Sequence, residues 1–176
     1  LALAALRAGQ TDEALAACQR LTTRLARGES PGTGQCIDGV AAVPDVLLSL
    51  REARVPQSEM PGFEQDLERA LNALRSFARI FPIARPAALR CQARVLQERG
   101  REAAARRAWR RSARAARRLQ MPVDEAHVHL DLSRFAPDAE ARHRELAAAH
   151  AILEPIGCAD LAADVRASTG ARASGA

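Results

Sequence analysis

The sequence predicts an all-α fold, an α-solenoid of about eight helices stacked as antiparallel pairs. Composition is the first reason. Alanine dominates the 48% hydrophobic content, aromatics are 3% and tyrosine is absent, whereas strands draw on β-branched and aromatic residues. Patterning is the second. Apolar residues recur at helical spacing along segments that glycine or proline closes. The third is side-chain size, because alanine on the inward faces lets helix axes approach closely, as layered antiparallel pairs require. A chain of 176 residues suits one domain. Residues 1–168 are expected to form a single body with a loop-rich insertion at about 28–61, and 169–176 a disordered tail with nothing to bury.

Leu1 to Ala8 reads as a helix entered already formed, and a chain that starts this way without methionine is predicted to be a piece of something longer. Gly9 stops it, and Thr11 is placed to cap the next helix, with Asp12 and Glu13 in its first turn where the dipole favours carboxylates. That second helix turns Ala14, Cys18, Leu21 and Leu25 inward. The cluster Gly28 to Gly34, GESPGTG, predicts a loop. It is not a phosphate-binding loop. Glu29 stands where that motif needs its first glycine, and Gln35 and Cys36 follow Gly34 where Lys and Ser/Thr belong.

A short helix is expected from Cys36 to Val43, then a second with Pro44 at its first position, running to about Arg54 with Val46, Leu47 and Leu50 inward. Pro56 and Pro61 delimit a linker. From Pro61 a long helix places Phe63, Leu67, Leu71, Leu74, Phe77 and Phe81 on one side, and Pro82 ends it. Pro86 restarts the chain through Leu89, Ala93 and Leu96 to the stop at Gly100. Pro122 and Asp124 begin the next helix after the arginine-rich one, and Pro137-Asp138 begin another that buries Leu146, Ala149 and Leu153. A last helix is expected from Cys158 to about Ser168.

The stretch Gly100 to Pro122 carries the only tryptophan and the densest charge. At roughly 100° per residue, Arg106, Arg107, Arg110, Arg111, Arg114, Arg117 and Arg118 share one arc, opposite Ala105, Ala108, Trp109, Ser112, Ala115, Ala116 and Leu119. One side packs and the other meets water. Arg107, Arg110, Arg111, Arg114 and Arg118 are the candidate anion-binding face. The net charge of +5 invites a nucleic-acid partner, but all 26 basic residues are arginine, as biased codon usage would produce. A nucleic acid or other anionic surface, bound through the arginine face of the helix 101–120, is therefore only the alternative, and a protein segment is the expected partner.

No catalytic constellation is legible. Cys18, Cys36, Cys91 and Cys158 form no C-x-x-C pair and have no histidine at zinc-ligand spacing, so free thiols in a reducing cytoplasm are expected and no metal or cofactor. His127 and His129 point about 200° apart on a helix, and His127 with Asp131 is an i, i+4 pair at hydrogen-bonding spacing. No serine or cysteine can be matched to a base, so an enzyme is not expected. No stretch reaches the roughly 20 apolar residues of a membrane span.

Gly9 and Gly100 are each followed by a small residue five positions later, Ala14 and Ala105, and Trp109 is the large residue four beyond the second. This pattern resembles the tetratricopeptide repeat, a helix-turn-helix unit of about 34 residues. Gly9, Ala14, Gly100, Ala105 and Trp109 match its packing positions. Cys18 replaces the large residue of the first unit, and Ser133-Arg134 stand where a third turn glycine would fall, so the repeats are degenerate TPR-like ones. More narrowly, the run AARRAWRRSARAARRLQMPVDEAHVHLDLSRF resembles the C-terminal repeat region of large bacterial signalling proteins, in which a serine/threonine kinase or nucleotide cyclase precedes a signal-transduction ATPase. The resemblance covers about Pro61 to Ser168. It implies a cytoplasmic regulatory module that binds a protein segment or its own upstream domains.

Overall fold

The computed structural model describes residues 2–27, 29, 37–54 and 61–158. Among these the chain is all-helical, with eight α-helices and no strand: α1 (Ala2–Arg7), α2 (Thr11–Ala26), α3 (Ile37–Glu52), α4 (Phe63–Ile80), α5 (Arg85–Glu98), α6 (Glu102–Arg118), α7 (Pro122–Arg134) and α8 (Ala139–Leu153). A 3-10 turn, Pro82–Ala84, joins α4 to α5. The chain divides into two compact units, Leu1–Cys91 and Gln92–Ala176, with the division inside α5. The GESPGTG loop apart from Glu29, Cys36, the Pro56 linker, the helix expected after Cys158 and the tail lie outside the described residues.

In the first unit, α1 packs on α2 and α3, and α2, α3 and α4 pack on one another. The large apolar side chains of the core come from α3 and α4. Val46, Leu47, Leu48 and Leu50 are buried from the one, Phe63, Leu67, Leu74 and Phe77 from the other. The stripe expected on α4 is thus present, but Ala70 and Ala78 are buried with it while Leu71 and Phe81 are half-buried. Phe81 lies past the helix in extended backbone, where its ring meets that of Phe77 at 4.6 Å between centroids.

Two expectations are corrected here. Pro44 does not open a new helix; α3 runs unbroken through it. Val40 and Val43 before it and Val46, Leu47 and Leu50 after it are all buried. That shared face outweighs the one backbone hydrogen bond an interior proline removes. Nor is Thr11 a cap: the N-cap of α2 is Gln10, without a side-chain cap bond, and Thr11 is already helical. On α2, Ala14, Leu15, Cys18 and Thr22 are buried, while Leu21 and Leu25 are half-buried.

Cys18 sits at the centre of this packing, its thiol 3.9 Å from the Val43 carbonyl. Burial, and after it the Asp66 carboxylate, push its pKa up to about 12 against a lowering pull from Arg20. The thiol is therefore neutral at ordinary pH. Its contribution to stability is complete below the usual thiol pKa near 9 and is lost as pH rises toward 12. Alkylation of Cys18 at about pH 8 is expected to be roughly a thousandfold slower than in the urea-unfolded chain, because the thiolate is the reactive form. Mass mapping of labelled peptides checks this; equal rates would mean that α2, α3 and α4 are not packed.

The turns repeat. At Gly9 (φ +74°) the glycine N–H donates to Leu6 and the next N–H to Ala5, and at Gly100 (φ +69°) the same two bonds run to Gln97 and Leu96. A third instance sits at Gln120 (φ +56°), whose N–H donates to Arg117 while that of Met121 donates to Ala116. Each is a left-handed C-terminal cap satisfying the last carbonyls of its helix, and the next helix starts two residues on. Glutamine carries a left-handed penalty that glycine escapes. Gln120→Gly should therefore stabilise the chain by up to about 1 kcal/mol, and Gly100→Ala should destabilise it by about 1 kcal/mol. Urea midpoints moving in the same direction for both would disprove the assignment.

In the second unit α6 packs on α7 and α7 on α8. Asp138 caps α8, its carboxylate accepting the Ala141 N–H at 2.7 Å. Leu146, Ala149 and Leu153 are buried against Ala126 as expected.

Candidate interaction surface

Helix α6 has two faces of opposite chemistry. Ala105, Ala108, Trp109, Ser112, Ala113 and Ala116 are buried; Arg107, Arg110, Arg111, Arg114, Arg117 and Arg118 are exposed, and Arg106 is half-buried. The alanines bring neighbouring backbones close, and Trp109, 1% exposed, fills the space between α6, Ala93 and Leu96 of α5, and Val128 and Leu132 of α7. Its indole stacks on Phe135 at 5.5 Å and 25°. Its indole N–H donates to the buried Asp131 carboxylate at 3.4 Å, whose other oxygen accepts from Arg134 at 3.4 Å. The packing residues read from the sequence thus occupy caps and core: Gly9 and Gly100 have positive φ, and Ala14, Ala105 and Trp109 are buried.

Polar links tie α6, α7 and α8 together along another line. Arg117 pairs with Glu125 at 2.5 Å, Glu125 lies 3.9 Å from His129 Nε2, and His129 Nδ1 is 2.7 Å from Glu145. His129 therefore faces α8, while His143 is exposed. The sequence offered no signal for the Glu145 link, since residues sixteen apart on two helices meet only through packing. Nor did it mark Arg90 and Arg94 as buried, at 7% and 1% exposure. Arg90 pairs with Asp45 at 2.9 Å.

What the arginine face holds is charge without counter-charge. Arg107, Arg110, Arg111, Arg114 and Arg118 have no carboxylate partner among the described residues. Among those residues no group of three or more His, Cys, Asp or Glu side chains could hold a metal ion, and no helix is long and apolar enough to cross a membrane. Comparison with known proteins finds no matching family model, no similar curated protein and no similar solved structure.

Proposed function

We propose that the chain is a non-catalytic helical-repeat module that binds a protein segment. The observation that carries this is the recurrence of one turn: a left-handed cap with the same two backbone bonds at Gly9, Gly100 and Gln120, each followed at once by a new helix. Ala14 and Ala105, five after the glycines, are both fully buried. Repeated helix pairs of this kind stack into solenoids that bury a continuous core and leave a concave side for an extended ligand. The regulatory setting, a cytoplasmic bacterial signalling protein whose upstream domains supply the bound segment, rests on the sequence resemblance alone.

An experimental structure is expected to show consecutive helix pairs side by side with a groove, and selection from a random peptide library to enrich segments that protect groove amides from exchange. A closed four-helix bundle, or a selection that enriches nothing, overturns the proposal.

A further inference from the structure

Biased codon usage would produce arginine in place of lysine but not the placement of the arginines along the chain. Residues 99–118 hold nine arginines and a single carboxylate, Glu102, a net +8; the whole chain is +5, so everything outside this stretch sums to −3. Elsewhere among the described residues at least six arginines have a carboxylate partner, among them Arg69 with Asp66 and Arg144 with Glu140 on their own helices and Arg51 with Glu64 and Arg90 with Asp45 between helices, and the others are not gathered on one face as densely as here. Of the nine, Arg117 alone has a carboxylate partner among the described residues. Arg107 lies three and four residues before Arg110 and Arg111, these lie four and three before Arg114, and Arg114 lies four before Arg118, spacings at which like charges destabilise a helix. The buried Trp109 face holds that repulsion in place, and a bound polyanion would relieve it.

We infer that this face is a docking surface for the phosphate backbone of a nucleic-acid duplex, bound without regard to sequence. At about 1.5 Å per residue, Arg107 to Arg118 extend over roughly 16 Å, the length of about five phosphates along one strand. The face offers no large apolar residue, whereas a protein partner anchors on a desolvated apolar or aromatic centre. It has no aromatic on which single-stranded bases could stack, because the tryptophan of α6 points into the core. Insertion into a lipid layer needs the apolar face of the helix, which is already buried. Phosphate contacts need none of these. The inference stands on charge placement and does not depend on the repeat proposal.

Fluorescence anisotropy with a labelled DNA duplex of about 20 base pairs tests it on the whole chain. Neutralising about four phosphates predicts a salt slope near −4, so that affinity falls by two to three decades between about 50 and 200 mM salt. Replacing Arg107, Arg111 and Arg114 together by glutamine should lower affinity at least about a hundredfold at low salt and flatten the slope by roughly 3. The control triple Arg24→Gln, Arg69→Gln, Arg144→Gln removes the same charge from sites that already have carboxylate partners, and should change affinity less than about threefold. Circular dichroism and Trp109 emission verify that both variants remain folded.

Absence of binding at low salt, or equal loss in the two triples, overturns the inference. Tighter binding to a poly-glutamate peptide, or to vesicles of about 30% phosphatidylserine in phosphatidylcholine, than to the duplex overturns the identity of the partner.

Discussion

Trp109→Ala is expected to destabilise the chain by about 3–5 kcal/mol in urea unfolding, the range for a large buried aromatic. The side chain is 1% exposed and is enclosed by Ala93, Leu96, Ala105, Val128 and Phe135. Truncation therefore leaves a cavity that the surrounding alanines and Val128 cannot extend to fill. It also removes the donor to the buried Asp131 carboxylate, which adds desolvation cost to the lost packing. Arg110→Gln, one residue along and exposed, should cost less than about 0.5 kcal/mol. If the two substitutions prove equally mild, α6 is not packed through its alanine face and the assignment of its two faces is wrong.

Asp45→Ala is expected to cost about 3 kcal/mol, because it removes a carboxylate 2.9 Å from Arg90, a guanidinium only 7% exposed. The penalty comes from taking away the carboxylate that faces a buried charge, so replacing both partners by apolar residues of similar size should recover most of it. Unfolding of Asp45→Leu, Arg90→Met and the double variant makes a closed cycle. A double variant less stable than either single variant would show that Arg90 is held by something other than this ion pair. These two sites lie in different units of the chain, and their unfolding effects report on separate packing.

Helices, stops and faces were largely legible in the sequence because each depends on residues a few positions apart. Gly9, Gly100, Pro122 and Asp138 mark helix ends through backbone constraints that are local. The split of α6 into alanine and arginine arcs follows from the helical period alone. Gln120 shows the limit. Its left-handed cap has the same geometry as the caps at Gly9 and Gly100, yet glutamine carries no signal for it, and the close succession of α6 and α7 goes with it.

Pro44 fails for the opposite reason: its local signal for a helix start was clear, and a buried stripe running across it was stronger. The all-α class, the amphipathic α6 and the segregation of its charge are properties of residue order, since they need only a period and a count. Tertiary structure alone decided that Asp131 receives the indole N–H, that His129 turns to Glu145, and that Arg90 lies inside beside Asp45. In each case the partners come from different helices. A polar side chain taken out of water accepts whichever partner the packing brings within reach, and no spacing along a single helix encodes that choice.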